Sequence, residues 1–511
     1  MTQRQALAIL DGGYSVFLTG PAGSGKTHVL REFIREARDN GKSVAVTAST
    51  GLAATHLSGN TIHSWAGIGI ADELQTRTVR DMSKSRREQI NKADVLIIDE
   101  VSMLHDFRLD MVDQVCQKIR ESQEPFGGLQ VVLSGDFYQL PPVNRSEAKH
   151  GGFVVESEAW DALEPVVCYL SEQHRQRDDP LLEILSALRA NDLRRRHAEA
   201  LLARKTARTP FDDPVTELYT KNINVDSVNR SRLEAMDGEV HEYEMTSTGR
   251  KGGVESLKKS CLAPETLRLK QGAFVMFVKN SQNKTYVNGT LGTVVGFEDD
   301  EDELPIVETK NGRKITVEPD TWELRDGEKK IASISQLPLR LAWAITVHKS
   351  QGMTLDAAHI DLGNAFVPGM GYVALSRVKS LDTLTLAGLN KVALQLDEAA
   401  HRIDEDLRKR SKTHQERHAH LEEAYEKKRA KKAKKPKKKS ASWQEKIEKM
   451  RQEYPNAYKP WKKLEDKTLL EAWAEGKTVK QLSAQMGRHT GSIRARLKKH
   501  LGDDLFAKNG R

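Results

Sequence analysis

Two hydrophobic patterns alternate along the first 165 or so residues. Short apolar runs at Ser15–Thr19, Val44–Thr47, Val95–Asp99 and Gln130–Ser134 have the length and composition of strands. Between them apolar residues recur at helical spacing, as at Val29, Leu30, Phe33 and Ile34. Runs that are apolar at every position belong in a sheet covered on both faces, so the pattern predicts a parallel sheet flanked by helices. The stretch Ile70–Asn91 is polar and charged and is expected to be a surface insertion. A second alternating region begins near Pro165. It is interrupted from about Leu267 to Gln336 by four short strand candidates, Ala273–Val278, Gly292–Phe297, Pro305–Thr309 and Lys314–Val317, with turn signals at Asn288-Gly289 and Asn311-Gly312. The parallel pattern resumes at Leu341–Val347. Glu426–Ser440 is dominated by lysine and is expected to be a flexible, self-repelling linker. After it, three helices are marked by Leu469, Leu470 and Trp473, by Val479, Leu482 and Met486, and by Ile493, Leu497 and Leu501.

These patterns predict an α/β fold. A first lobe spans 1–165 with an insertion at 70–91, and a second spans 166–266 and 337–400 around a small β module at 267–336. A basic linker at 401–442 leads to an all-α trihelical domain at 443–511. A length of 511 residues fits several cores. No run approaches the ~20 apolar residues of a membrane span, and Gln3, Arg4 and Gln5 behind Met1 exclude a signal peptide. Cys116, Cys168 and Cys261 are scattered, which suits small buried hydrophobes in a reducing compartment rather than disulfides or a zinc site. The net charge of +8 is unevenly spread: from His401 onward there are 32 Lys and Arg against 16 Asp and Glu, a balance of +16, and the rest carries −8. A segregated basic tail is the electrostatic footprint of nucleic-acid binding.

The candidate chemistry begins at Gly20-Pro21-Ala22-Gly23-Ser24-Gly25-Lys26-Thr27, which fits G-x-x-x-x-G-K-[ST] between a strand and a helix. In such a loop backbone N–H groups converge on nucleotide phosphates, the lysine reaches the β- and γ-phosphates, and the hydroxyl residue ligates Mg²⁺. Val95–Asp99 is a buried run ending in Asp99 and Glu100. A carboxylate at a strand's C-terminal end beside the loop can hold Mg²⁺, and its neighbour can orient the attacking water. Gln139, just beyond the run Gln130–Ser134, is placed to relay the γ-phosphate to a neighbouring surface.

Asp99-Glu100-Val101-Ser102-Met103, Gly135-Asp136-Phe137-Tyr138-Gln139-Leu140-Pro141-Pro142 and Val347-His348-Lys349-Ser350-Gln351-Gly352-Met353-Thr354 resemble motifs of the petite-integration-frequency DNA helicases, relatives of RecD in superfamily one, type B. Pro125-Phe126-Gly127-Gly128 and Tyr372-Val373-Ala374-Leu375-Ser376-Arg377 also match, and the similarity runs in order from residue 1 to about 395. The resemblance implies two RecA-like lobes that bind ATP between them and single-stranded DNA across their tops. It implies that Gln3 reads the adenine and that Arg175 and Arg377 reach the γ-phosphate from the second lobe. Gln351 and Gly352 would touch the nucleotide, and Thr50, His63, His348, Lys349 and Ser350 would line the DNA path. His174 stands where the family usually has Phe before the first arginine. The insertion at 267–336 would be the family's Src-homology-three-like barrel, and 70–91 its duplex-splitting wedge. With Gln3 so near the start, no N-terminal regulatory extension is expected.

The last predicted helix carries Arg494, Arg496, Lys498 and Lys499 away from its apolar seam, which resembles a Myb-like helix-turn-helix that enters the major groove. A small protein-interaction bundle is the other reading, and a nuclear-localisation signal is the other reading of the lysine run. The sequence thus points to a monomeric ATP- and Mg²⁺-dependent helicase moving 5′ to 3′ on single-stranded DNA, with duplex or forked DNA as a second partner. The setting expected is the bacterial or phage cytoplasm, with nuclear residence as the alternative, in replication, repair, recombination or telomere maintenance. A DNA-bound ATPase that remodels protein–DNA complexes without separating strands is the rival function.

Overall fold

The computed structural model describes residues 1–57, 59–69, 72–74, 79–142, 144, 151–171, 179–205, 215–281, 285–286, 288–299, 302–309, 311–326, 329–434, 448, 450–459, 461 and 463–501. The chain divides into one unit at Met1–Glu426 and a second at Lys427–Arg511.

The first lobe is built on six parallel strands, β1 (Val16–Thr19), β2 (Val44–Ala48), β3 (Asn60–Thr61), β4 (Val95–Asp99), β5 (Gln130–Ser134) and β6 (Val166–Tyr169). Their order in the sheet is β3-β2-β4-β5-β1-β6. Every residue of β1, β4, β5 and β6 is buried, as expected of a sheet with helices on both faces. The strands predicted within residues 1–165 form within one residue of their expected ends. β6 corrects a predicted boundary. Val166–Tyr169 pairs in register with Val16–Thr19 and closes the first sheet instead of opening the second lobe.

The second lobe begins at β7 (Thr216–Tyr219). The inserted region then starts earlier than predicted, with β8 (His241–Glu244), β9 (Thr246–Gly249), the helix Lys251–Ser260 and β10 (Thr266–Leu269). There follow β11 (Phe274–Phe277), β12 (Leu291–Phe297), β13 (Pro305–Thr309), β14 (Lys314–Thr316), β15 (Asp320–Asp326), β16 (Lys329–Gln336) and β17 (Leu339–Leu341). They form two antiparallel sheets, β14-β13-β12-β11-β17 and β15-β16-β9, with β10 paired to β8. The hairpin β15–β16 therefore joins β9 and not the main inserted sheet, and Leu257 of the preceding helix packs on Ala332 and Ile334. β17 also corrects the predicted return point, because Leu341 still pairs with Val275 of β11. The parallel sheet resumes with β18 (Ala344–Thr346), β19 (Ala358–Leu362) and β20 (Leu384–Leu389) in the order β18-β7-β19-β20. Two parallel three-layer lobes of this kind are a RecA-like core.

Residues 70–71 and 75–78 of the expected wedge lie outside the described residues. The rest is less detached than predicted. Ser83 caps the helix Lys84–Lys92, whose Ile90 is fully buried, and Arg120 donates to the carbonyls of Ile90, Asn91 and Ala93.

The expected linker from residue 401 is helical through Lys434 in Glu398–Arg417 and His420–Lys434, and its first part belongs to the first unit. Ser411 Oγ accepts from Tyr169 N–H at 3.0 Å, and His414 Nδ1 accepts from Val167 N–H at 2.8 Å, so the helix Glu398–Arg417 covers the exposed edge of β6. Farther on, Tyr425 joins the core under helices Gln3–Asp11 and Lys26–Asp39, and its hydroxyl donates to Glu36 at 2.8 Å. This segment is a strap from the end of the second sheet back to the first. Residues 435–447 of the expected linker lie outside the described residues.

In the second unit, helices Lys463–Ala474, Val479–Met486 and Thr490–Leu501 enclose Leu469, Leu482, Ile493 and Leu497. Leu501 departs from the predicted seam and is exposed.

Candidate functional site

Gly20–Thr27 leaves β1 and enters the helix Lys26–Asp39. Gly20 has φ +142° and Gly25 φ +89°, and both are crowded. A Cβ on Gly20 would lie 2.7 Å from Leu170 O, and one on Gly25 would lie 2.1 Å from Gln3 Nε2. Glycine is required at both for conformation, and at Gly20 also for space against backbone, whereas at Gly25 a side chain would displace the Gln3 amide. Gln3 is delivered to the loop by a capping box between Thr2 and Gln5, and donates to Ser24 O at 3.0 Å. Lys26 Nζ donates to Gly20 O at 2.7 Å, and burial holds its pKa below the ordinary ammonium value.

A cavity of about 430 Å³ brings Thr27 together with Asp99 and Glu100 from the first lobe and Gln351 and Gly352 from the second. Glu100 is a non-glycine residue at φ 53°, ψ 44°. This left-handed turn costs roughly 1–2 kcal/mol and aims its side chain across the cleft. There Gln351 Nε2 donates to Glu100 Oε2 at 3.2 Å. Burial raises Asp99 above the usual carboxylate range. Burial first, and Asp99 second, push Glu100 up to about 7. Two carboxyls whose ionisation is opposed by burial suit a site completed by a cation. Ser24 Oγ and Gln351 Oε1 are buried without a protein partner, which suits a polar occupant.

Other predicted residues divide. Thr50, His348 and Lys349 line the same cavity. Ser350 does not line it, since its hydroxyl turns inward to Val347 O at 2.8 Å. Gln139 is buried, with its Oε1 unpartnered, and does not line this cavity. Arg377 is buried in the second lobe. Its Nε donates to Val373 O at 2.9 Å and its Nη1 to Met353 O at 3.2 Å, and its charge lowers the pKa of Glu100. His63 lies on the short helix Ile62–Trp65, away from this cavity. Burial, then Arg108, lowers its pKa to about 4. Arg175 lies outside the described residues.

In the second unit Arg494, Lys498 and Lys499 are exposed as predicted. Arg496 is a correction. It is engaged by Asp466, with Nε–Oδ1 at 2.7 Å and Nη2–Oδ2 at 2.5 Å, and it lies over Trp461, so it braces the last helix against the first. Arg488, in the turn before the last helix, is likewise held to Glu465 of the first.

Sequence reasoning missed Tyr372, whose hydroxyl accepts from the loop's Ala22 N–H at 3.3 Å. It also missed Asp136 and Arg189, which form a bidentate pair behind the loop at 2.8 Å. Tyr372 and Asp136 lie inside the quoted motifs, which carry no sign of either contact. Arg189 closes an ordinary amphipathic helix and gives no signal.

A family model described as PIF1-like helicase matches residues 3–184, and one described as the 2B domain of DNA helicase Pif1 matches 254–297. The chain is 42% identical over 464 residues to an ATP-dependent DNA helicase Pif1 of Psychrobacter, covering 79% of this chain and 70% of the relative. It is similar to the crystal structure of Pif1 helicase from Candida albicans, with a TM-score of 0.70 at 33% identity over 80% of this chain and 99% of the other. It is also similar to Pif1 helicase from Bacteroides in complex with ADP-AlF3 and ssDNA, with a TM-score of 0.61 at 32% identity over 80% and 97%.

Proposed function

The chain belongs to the PIF1-like helicase family, and on that premise we propose that its interlobe cleft hydrolyses ATP to move along single-stranded DNA. It is an ATP-dependent DNA helicase. The observation that carries this is the hydrogen bond from Gln351 to Glu100, which joins a residue placed to orient the attacking water to the second lobe at 3.2 Å. Lys26 and the loop N–H groups bind the phosphates, and Gln3 reads the base. Thr27 and Asp99 would hold Mg²⁺, which when bound supplies positive charge beside the β- and γ-phosphates. Glu100, shifted to about 7, is matched to accepting a proton near neutrality. Arg377 supplies positive charge from the second lobe on closure, and Arg175 adds to it. Thr50, His348 and Lys349 adjoin the strand, so strand occupancy and the reaction site share one cavity wall.

The direction of travel is 5′ to 3′, and the motor is a monomer. The inserted antiparallel sheets flank the strand, and residues 70–91 act as the wedge. No helix among the described residues is long and apolar enough to cross a membrane. The setting is the bacterial or phage cytoplasm. The exposed Arg494, Lys498 and Lys499 support a helix-turn-helix role for the second unit, as a tether to duplex or forked DNA.

Unwinding of 5′-tailed, 3′-tailed and forked duplexes with ATP tests the reading. Strand separation only from a 5′ tail or fork is expected. Hydrolysis with no separation on any substrate would establish the remodelling ATPase instead.

A further inference from the structure

A buried ionic cluster lies behind the phosphate-binding loop. Arg189 ends the helix Pro180–Arg189 and is 6% exposed. Its Nη1 donates to both oxygens of Asp136 at 2.8 Å and to Tyr372 Oη at 3.0 Å. Its Nη2 donates to Tyr169 Oη at 2.8 Å and to Asp404 Oδ1 at 3.1 Å. Tyr169 Oη donates to the same Asp404 oxygen at 2.9 Å, and Arg408 Nε donates to Asp404 Oδ2 at 2.6 Å. The guanidinium also lies 4.3 Å from the ring centre of Tyr138. A planar fork held at both nitrogens and on one face has little freedom to tilt.

The cluster ends at working parts of the motor. Tyr372 accepts from Ala22 N–H of the phosphate-binding loop. It sits in the helix Met370–Leu375, and Arg377 follows two residues after that helix. Asp404 belongs to the strap helix Glu398–Arg417, far from every motif in the sequence. Tyr372 Oη also donates to Asp136 Oδ2 at 3.3 Å. Without the charge of Asp404, Nη2 of Arg189 would keep only neutral partners while Asp136 still holds Nη1, so the guanidinium could pivot about Nη1 and shift its contact with Tyr372.

We propose that Asp404 is a positioning residue for ATP hydrolysis, acting through Arg189 to seat Tyr372 on the phosphate-binding loop and to align the segment that presents Arg377. The proposal rests on the helicase reading above. It makes the strap part of the catalytic machinery and not only a cover for the sheet edge.

The test uses the full chain as wild type, Asp404→Asn, Tyr372→Phe and the double variant. Strand-stimulated ATP hydrolysis is measured, with oligonucleotide affinity and thermal melting as controls. Each single variant should lose about fivefold to tenfold in kcat, the rate equivalent of one hydrogen bond, with oligonucleotide Kd unchanged. The double variant should be no slower than the slower single one, because both act on one relay. A folded Asp404→Asn protein with wild-type kcat, or a double variant whose loss multiplies, overturns the proposal. If Asp404→Asn does not fold, Arg408→Gln answers the question. Arg408 is half exposed and holds Asp404 from the solvent side, so its loss should lower kcat about twofold to threefold; an unchanged kcat overturns the relay. A wild-type chain without strand-stimulated hydrolysis would overturn the helicase reading and the relay with it, whereas hydrolysis insensitive to Asp404 overturns the relay alone.

Discussion

Deleting residues 398–511 should unfold the motor, whereas deleting 435–511 should leave it folded and active. The difference is the strap. Leu407 is 2% exposed and Tyr425 5%. Removing each of these covers loses about 1.5–3 kcal/mol of burial. Losing Asp404 leaves the buried Arg189 with one carboxylate instead of two. Breaking a buried pair costs roughly 3–5 kcal/mol, and half-breaking this one should approach that range. The N–H groups of Val167 and Tyr169 lose His414 and Ser411 as acceptors, at about 1 kcal/mol each. The total, roughly 8–13 kcal/mol, matches the whole stability of a typical domain at about 5–15 kcal/mol. Circular-dichroism melts and strand-stimulated ATPase of both truncations measure the effect. The shorter deletion should melt with the full chain and keep its ATPase. A cooperative melt of the 398–511 deletion within about 3 °C of the full chain would refute the reasoning.

Three further outcomes are expected. Lys26→Ala should reduce ATP hydrolysis by at least about a hundredfold and abolish unwinding while single-strand affinity persists; hydrolysis near the wild-type rate would place the phosphate site elsewhere. Arg496→Ala should lower the melting temperature of the second unit, whereas Arg494→Ala or Lys499→Ala should leave it and reduce the salt slope of duplex binding by about 1. The opposite pattern would mean that Arg496, not its exposed neighbours, faces the DNA. Since His63 titrates at about 4 when folded and at 6.5 otherwise, the unfolded chain binds the proton first as pH falls. Stability should therefore drop between pH 6.5 and 4, by about 3 kcal/mol at most, and His63→Gln should flatten the melting curve across that window.

The first sheet was legible because Val95–Asp99 and Gln130–Ser134 are buried on both faces and must be apolar throughout. The same logic hides β9, whose four residues are all exposed and show no alternation. It also misassigns β6, since a strand's sequence does not say which of two sheet edges it joins. The strap was illegible for another reason. Its buried positions, Ala400, Asp404, Leu407 and Ser411, repeat at helical spacing, but two of the four are polar and the rest of the helix is densely charged. A seam that docks by ion pair and hydroxyl leaves little hydrophobic signature. At the site, the convergence of Thr27, Asp99 and Glu100 on one cavity was legible because phosphate and metal chemistry dictates residue type and spacing, and that of Gln351 because of the family resemblance. Tyr372 and Arg189 were not, because their role arises from tertiary proximity. Arg496 was misread because helical position alone does not separate a groove-facing arginine from one paired to Asp466.

The cleft contacts also suggest how hydrolysis could move the lobes. Glu100 cannot relax its aim cheaply, since its left-handed backbone is held between β4 and the turn Val101–Met103. Its partner Gln351 is buried with an unpartnered carbonyl oxygen, and Ser24 Oγ of the phosphate-binding loop is likewise unpartnered. Each buried orphan group costs about 1–3 kcal/mol until something polar meets it. Ser24 Oγ–H can donate to a phosphate oxygen, and Gln351 Oε1 can accept from a water held beside that phosphate; the two atoms come from different lobes, so a hydrated phosphate that meets both is bound better by the closed arrangement than by the open one. Differential affinity of that kind is the requirement for a ligand to shift a conformational equilibrium. Cleaving the phosphate removes the shared occupant, returns the orphan atoms to water and favours opening. On this argument the buried polar atoms around Gln351, more than its one hydrogen bond to Glu100, set how strongly ATP closes the motor.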